Sequence, residues 1–313
     1  MSDNDKIPVV SIIMRSYNRA DTIKRTIDSV IAQDFKNFEL IVIDDGSTDK
    51  SVEISSSFKD SRIRIIRHEK NKGNAAALNT GLDNIHGEWF TLLDSDDEMV
   101  VPNALSTLLN LPKEIDPLIN AITCNCIDTQ TGTFSGLGLD HDQYLDAKEI
   151  IQKCRGEHWG LTKTFLLQGD RLNEDLTGME GFLWYKINKR AKRYYLHRGL
   201  RLYHTEGEDR ITNIEYQNKR AYNRSIAILN EKEYLEDYRI YGRDSYKDLL
   251  FSAAFSFIAY NDKKKAFQVF LKLITLRSGR IRALIILSGF IFGKTFFEQL
   301  RKFKRQNFHF KIK

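Results

Sequence analysis

Short apolar runs alternate with longer amphipathic ones through the first hundred residues, and the alternation assigns the elements. Val9 to Met14 is rich in β-branched residues and reads as a buried strand, stopped by the polar turn Arg15-Ser-Tyr-Asn18. Asp21 is placed to cap a helix whose Ile23, Ile27, Val30 and Ile31 share one face. Phe38 to Ile43 is the next strand, running into Asp44-Asp-Gly-Ser-Thr-Asp49, which is turn chemistry leading to a second helix. The pattern repeats with a strand at Ile63 to Ile66, a helix at Asn74 to Ile85 and a strand at Trp89 to Leu93 that stops at Asp94-Ser-Asp-Asp97. Such alternation predicts a mostly parallel central sheet covered by helices, a Rossmann-like α/β fold. Ligands in open sheets of this type bind beyond the carboxyl ends of strands, and three polar clusters fall there.

Beyond Pro102 the signals are mixed. Turn residues stand at Thr131-Gly-Thr133 and Gly136-Leu-Gly138, His158-Trp159-Gly160 leads into an apolar helix-like run, a helix is expected from Gly181 to Lys192, and Tyr194 to Leu202 is strand-like. From Tyr216 onward Gly and Pro become sparse and helical spacing dominates, as in Leu249, Leu250, Ala253, Ala254 and Phe257, then Ala266, Val269, Phe270 and Leu273. Two units are therefore expected, residues 1–215 as α/β and residues 216–313 as a helical basic C-terminal region.

The chain has 313 residues, 42% hydrophobic and 29% charged, which suits a folded globular protein and excludes intrinsic disorder. Cys124, Cys126 and Cys154 are too few for a disulfide framework, and Cys124-Asn-Cys126 lacks the second pair of a zinc site. Met1 to Lys6 is polar, with no apolar stretch resembling a secretory signal before the first strand, so a cytoplasmic location is expected. The net charge of +6 is uneven: from Lys263 onward fourteen Lys or Arg face a single acid, Glu298. Ala283 to Gly293 is apolar but too short to span a bilayer, and the cluster Arg301-Lys-Phe-Lys-Arg305 follows it. Apolar side chains beside basic ones suit an anionic membrane surface, so peripheral attachment to the inner face is the expectation and nucleic acid is not. The same pattern also describes an amphipathic helix packed on the rest of the chain.

Asp94-Ser-Asp-Asp97 is the strongest chemical signal. Carboxylates this close repel one another unless a cation or hydrogen-bonding ligand compensates, and hard oxygen ligands suit Mg2+ or Mn2+. A solvated acidic turn is the plain alternative for this motif alone. In Asp44-Asp-Gly-Ser-Thr-Asp49, an Asp can accept from an imide N–H of a base and Gly46 allows a tight turn with close backbone approach.

Taken in order and spacing, Val10-Ser-Ile-Ile-Met-Arg-Ser-Tyr-Asn18, Glu39-Leu-Ile-Val-Ile-Asp-Asp-Gly-Ser-Thr-Asp49, Asn71-Lys-Gly73 with Asn79, and Phe90-Thr-Leu-Leu-Asp-Ser-Asp-Asp97 resemble the family-two inverting glycosyltransferases. The resemblance is tight over residues 8–102 and loose to about 212. It implies an A-type glycosyltransferase fold, with 8–102 as the nucleotide-binding half and 103–215 as the acceptor-binding half. It implies a metal-dependent hexosyltransferase that moves a sugar from a nucleoside diphosphate, a UDP-sugar first, to a glycan or lipid-linked glycan hydroxyl in polysaccharide or glycoconjugate biosynthesis. Carried over by motif, Asp45 contacts uracil with Asp44 supporting it. Arg15, Ser16, Tyr17 and Asn18 line the nucleoside pocket, Arg15 also being suited to phosphate, and Gly73 belongs to the same pocket. Asp94, Asp96 and Asp97 share ribose and metal contacts, with Asp96 and Asp97 as ligands for Mn2+ or Mg2+ and His204, on the metal or close to the diphosphate, as the candidate third ligand.

Inversion by direct displacement needs one carboxylate to take the acceptor proton. Gly178-Met-Glu-Gly-Phe-Leu-Trp-Tyr-Lys-Ile187 resembles the family's base segment and puts Glu180 on that position, with Glu174 and Asp175 as rivals. Gly181 stands where many relatives carry a second acid. That difference keeps a second reading open, a catalytically inactive nucleotide-sugar-binding or membrane-docked scaffold protein. A sugar nucleotidyltransferase is disfavoured because the turn Arg15-Ser-Tyr-Asn18 contains no glycine. Trp159 offers a flat face for a sugar ring or packs in the core, and Arg210 meets phosphate or solvent.

Overall fold

Seven residues, Val10–Ser16, form the strand (β1) on which the N-terminal half is built. They are followed by α1 (Ile23–Ile31), β2 (Phe38–Asp44), α2 (Ser51–Ser57), β3 (Ile63–Arg67), α3 (Asn74–Asp83), β4 (Trp89–Leu92), β5 (Glu98–Met99), α4 (Ala104–Glu114), β6 (Ala121–Asp128), β7 (Gln143–Leu145), α5 (Ala147–Lys153), β8 (His158–Lys163), α6 (Glu180–Arg190) and β9 (Arg193–Tyr203). The computed structural model describes residues 7–100, 102–176, 179–205, 214–276 and 286–287. It divides the chain into two compact units, residues 1–208 and 209–313.

In the first unit nine strands form one sheet in the order β3-β2-β1-β4-β8-β6-β9-β5, with β7 added to β9. The parallel pairing expected from the alternation holds for β3, β2, β1 and β4. Past β4 the sheet is mixed: β8 runs antiparallel to β4 and β6, β5 and β7 run antiparallel to β9, and β6 with β9 is parallel. Strands β1 and β2 are buried almost throughout, and mostly apolar, because both sheet faces are covered. One face packs Ile12, Met14, Leu40 and Val42 against Ile23, Ile27 and Val30 of α1 and Leu105 and Leu108 of α4. The other packs Ile13, Ile41 and Ile43 against Leu78 and Leu82 of α3 and Leu183 and Ile187 of α6.

Three local expectations change. His158 to Gly160 opens a strand, and the helix-like run after it is a single 3-10 turn at Thr164–Leu167. Helix α1 is preceded by Thr22 in place of Asp21, and the Thr22 hydroxyl donates to the Ser95 carbonyl at 2.8 Å, tying the helix start to the acidic turn. Strand β9 carries three more residues than the stretch of β6 it pairs with: Cys124 faces Leu196, Asn125 faces Gly199 and Cys126 faces Arg201. Bulges of this kind re-aim the side chains that follow them.

The second unit contains α7 (Ile214–Asn230), α8 (Lys232–Tyr241), α9 (Arg243–Ala259) and α10 (Lys263–Ile274). Leu250, Ala253, Ala254 and Phe257 of α9 and Ala266, Val269 and Leu273 of α10 are buried, at the helical spacing read from the sequence. Among the described residues no helix is long and apolar enough to cross a membrane. The cluster Arg301 to Arg305, Arg210, and all of Ala283 to Gly293 except Ile286 and Leu287 lie outside the described residues.

Candidate active site

The ends of β1, β2 and β4 bring the three polar turns together. The first and second turns are zipped by short bonds: Asn18 accepts from the Thr48 amide at 2.9 Å and gives its own amide to Ser47 Oγ at 2.9 Å, and the Arg19 amide reaches Ser51 Oγ at 2.7 Å. Asn18 sits at φ 52°, a left-handed position that asparagine tolerates. Tyr17 is exposed. Gly46, at φ 76°, lies so close to the chain at Lys70 and Asn71 that a Cβ would stand 2.5 Å from the Lys70 carbonyl carbon. The glycine of this turn thus makes room for a neighbouring loop.

Asp44 and Asp45 have different surroundings. Asp45 accepts from the amides of Lys72 and Gly73 at 2.9 and 2.8 Å and pairs with His68 Nδ1 at 2.7 Å, so its carboxylate closes the loop carrying Gly73. Asp44 accepts from the Ser47 amide through Oδ1 at 3.0 Å, whereas its buried Oδ2 has no partner. Ser16, its register neighbour on β1, likewise has a buried, unpartnered Oγ. An acceptor oxygen and a hydroxyl therefore stand side by side at the ends of two parallel strands, a place where unmade hydrogen bonds are costly.

The acidic turn after β4 is organised by two arginines. Arg15 donates Nη1 to Glu180 Oε1 at 2.5 Å and Nη2 to Asp94 Oδ1 at 3.0 Å. Arg201 donates Nη2 to Asp94 Oδ2 at 2.7 Å and Nε to Asp97 Oδ2 at 2.8 Å, with a further close Nη2 contact to Asp97. Burial alone would raise the Asp94 pKa, but Arg201 and Arg15 outweigh it and hold the carboxyl at about 2. Burial pushes the Asp97 carboxyl upward, against the pull of Arg201. Arg201 escaped the sequence reading because a basic residue in a strand reads as solvent-facing. Its burial follows from the β9 bulge.

Glu180 opens α6 and also accepts from Asn74 Nδ2 at 2.9 Å, so residues from the first strand, the third helix and the sixth helix converge on one carboxylate. Glu174 is held by Asn79 Nδ2 at 3.0 Å in a segment latched to α3, and Asp175 is exposed. Glu180 lines a cavity of about 270 Å³ together with Arg15, Asp94 and Arg201, whereas Glu174 and Asp175 do not. Trp184, one turn along α6, also lines it and stacks on Phe90 with ring centres 6.2 Å apart. Trp159 is core-packed, its indole N–H donated to the Leu92 carbonyl at 2.8 Å, so Trp184 is the more open aromatic face. Glu157, also in the lining, has its pKa raised by burial and was not singled out from the sequence.

The proposed metal ligands are not grouped. Asp96 keeps an open carboxylate, 40% exposed, with Arg19 Nε 3.9 Å away. Both Asp97 oxygens are engaged, Oδ2 by Arg201 and Oδ1 by the His204 amide at 2.8 Å. The His204 ring faces Glu98 Oε1 through Nε2 at 2.8 Å. Among the described residues no three His, Cys, Asp or Glu are placed to hold an ion unaided. A divalent ion that arrives with a diphosphate needs only one or two protein carboxylates. Asp96 fits that requirement, and Asp97 in this arrangement does not.

The description Glycosyl transferase family 2 matches residues 11–158. The chain is 34% identical over 239 residues to the GalNAc(5)-diNAcBac-PP-undecaprenol beta-1,3-glucosyltransferase of Campylobacter jejuni subsp. jejuni serotype O:2, a match covering 74% of this chain and 75% of the relative. It is 45% identical over 92 residues to the UDP-Glc:alpha-D-GlcNAc-diphosphoundecaprenol beta-1,3-glucosyltransferase WfaP of Escherichia coli, covering 29% of this chain and 37% of that one. Among solved structures, S. aureus TarS 1-349 in complex with UDP-GlcNAc superposes with a TM-score of 0.61 at 18% identity, over 96% of this chain and 93% of that chain. The mannosyltransferase PcManGT from Pyrobaculum calidifontis, in complex with GDP-Man and Mn2+, gives 0.54 at 16% identity, over 92% and 82%. At these identities the two structures share the fold.

Proposed function

Because this chain belongs to glycosyl transferase family 2, we propose that its rim of strand ends binds a UDP-sugar and that Glu180 activates the hydroxyl of a lipid-linked glycan acceptor. That it is a glycosyltransferase follows from the family; the donor, the acceptor and the residue roles are our reading. The observation that carries it is the unpartnered pair Ser16 Oγ and Asp44 Oδ2. A uracil ring offers an imide N–H for the carboxylate and a carbonyl for the hydroxyl, satisfying both atoms at once. We therefore move the base contact from Asp45 to Asp44, leaving Asp45 to hold the loop at Lys72 and Gly73.

Residues 1–215 are read as catalytic, with the nucleotide on 8–102 and the acceptor on 103–215. Glu180 takes the acceptor proton as the hydroxyl attacks the anomeric carbon, and the configuration inverts. Arg15 lies between Glu180 and Asp94, where it orients the base and meets negative charge on the donor. Asp96 is the residue that would hold Mn2+ or Mg2+, and when bound the ion would supply positive charge at the departing diphosphate. The uridine donor and lipid diphosphate acceptor are supported by the activities named for the Escherichia coli and Campylobacter relatives. Peripheral attachment at the inner membrane face is supported by the basic residues after Lys263.

The deciding experiment is a panel of nucleotide sugars with Mn2+ or Mg2+ and a polyprenyl-diphosphate sugar acceptor, scored for diphosphate release with wild type and Glu180→Gln. One donor should turn over, and the variant should bind UDP yet lose turnover by about 100-fold or more. Unchanged turnover in the variant would move the base to Glu174 or Asp175, and failure to bind any nucleotide would end the reading.

A further inference from the structure

Two arginines of the first unit are more than nine-tenths buried, and they are provided for very differently. Arg201, at 5% exposure, lies between two carboxylates. Arg193, at 8%, has no carboxylate partner among the described residues. Its Nε donates to Asn188 Oδ1 at 3.1 Å and its Nη1 to Thr123 Oγ1 at 2.6 Å, both neutral acceptors, so two of its N–H donors are engaged and Nη2 is left without a protein partner. The guanidinium lines the same cavity as Glu180 and Asp94. We infer that Arg193 forms the floor of an anion subsite, taking a carboxylate or phosphate substituent on the sugar seated in this cavity.

A cation removed from water without a counterion is costly, and the cost is offset when an anion enters beside it. The one ionisable neighbour that could otherwise neutralise Arg193 is the Cys154 thiol, which burial pushes up to about 11 and so keeps uncharged. Burial pulls the Arg193 pKa down only to about 10, and it stays protonated at neutral pH. Glu157 is the other acid of the lining. It precedes His158, which pairs with Asn125, and so stands beyond Asp94 along the strands and away from Thr123.

The placement sets the reach. Thr162 pairs with both Phe90 and Ala121, which puts Thr123 level with Leu92 and two residues short of Asp94. The step is about 7 Å along the strands and, because β8 lies between β4 and β6, about 10 Å across them. On the facing helix Glu180, Trp184 and Asn188 recur every four residues and all three line the cavity. A sugar ring laid on Trp184, with its reacting end between Glu180 and Asp94, thus turns its far substituent toward Arg193. The inference rests on reading this cavity as the sugar site. The acidic group can belong to the donor sugar or to the acceptor.

Calorimetric titration of the full chain separates these sources. In the donor arm UDP-glucuronic acid is compared with its neutral isostere UDP-glucuronamide. In the acceptor arm methyl glucuronide and glucose 1-phosphate are compared with methyl glucoside, with and without saturating UDP. In one arm wild type should bind the anionic probe roughly 10-fold or more tightly than the neutral one. Arg193→Gln should erase that ratio and Arg193→Lys should retain part of it. Equal binding of charged and neutral probes in both arms by wild type overturns the inference, as does a ratio unchanged in Arg193→Gln. Should Arg193→Gln fail to fold, the wild-type comparison decides alone. Failure of UDP to bind would count against the proposed function, while the acceptor probes without UDP still test the subsite.

Discussion

Arg15 and Glu180, 165 residues apart in sequence, meet in an Nη1–Oε1 ion pair of 2.5 Å, and the second amino group of the same guanidinium reaches Asp94. The pair fastens the start of α6 to the end of β1, so the proposed base is positioned by the strand that carries the nucleoside turn. Arg15→Met should lower stability by about 2 kcal/mol, because it leaves two part-buried carboxylates without the cation between them. It should also reduce turnover at saturating donor by about 10-fold or more through a misplaced base. Urea midpoints and initial rates measure the two effects. Arg15→Lys keeps the charge without the fork and should fall between.

The neighbouring aspartates Asp44 and Asp45 should separate cleanly under mutation. Asp45→Ala removes the acceptor for two loop amides and should cost about 2 kcal/mol of stability. Asp44→Asn can keep the Ser47 bond and gives up only the ion pair to the half-exposed Arg67 at 3.5 Å, so it should cost about 1 kcal/mol or less of stability while weakening UDP binding by roughly 10-fold or more. If Asp45→Ala proved the more selective nucleotide-binding defect, with an unaltered melting curve, the assignment would reverse.

Gly46→Ala tests the close approach of two loops. The added methyl would stand 2.5 Å from the Lys70 carbonyl carbon at a φ of 76°, so both sterics and backbone conformation oppose it. A loss of about 2 kcal/mol or more is expected, with faster amide exchange in the 70–73 loop. An alanine variant as stable as wild type would contradict the packing described.

His158 supplies a pH dependence. Burial depresses its pKa below the ordinary histidine value of about 6.5, although a backbone bond at Gly156 opposes the shift. Above that value both folded and unfolded chains carry the neutral ring; below it the unfolded chain takes up a proton first, so stability falls with falling pH until the folded ring titrates as well. His158→Gln should therefore flatten the part of the stability profile just below pH ~6.5, read as the change in urea midpoint between mildly acidic and neutral buffer. Parallel profiles for the two proteins would rule the effect out.

Much of the first hundred residues was legible because β1, β2 and β4 are apolar runs ended by turn chemistry, and the rim of aspartates follows from where those runs stop. The opposing contacts were not legible. Arg201 and Arg193 sit in a strand whose mixed composition reads as half-exposed, and what surrounds them comes from distant sequence, Asp94 and Asp97 for Arg201 and Thr123 of β6 with Asn188 of α6 for Arg193. His158 to Lys163 was hidden for a related reason: with Gly160 at its middle and polar ends, its strand character comes from pairing on both sides, not from local propensity. The fates of Asp44 and Asp45 could not be told apart by spacing, since adjacent residues at a strand end diverge only when the loop at 68–73 folds back onto one of them.

The extra residues in β9 make the acidic turn sensitive to counting. With the three in place Arg201 stands opposite Cys126; a pairing that slipped by one or two would present Leu200 or Gly199 there instead. Asp94 and Asp97 would then confront each other with no guanidinium between them. Single-residue insertions or deletions between His197 and Leu200 that shift this register should therefore disturb the acidic turn, although that stretch of strand itself need touch neither donor nor acceptor.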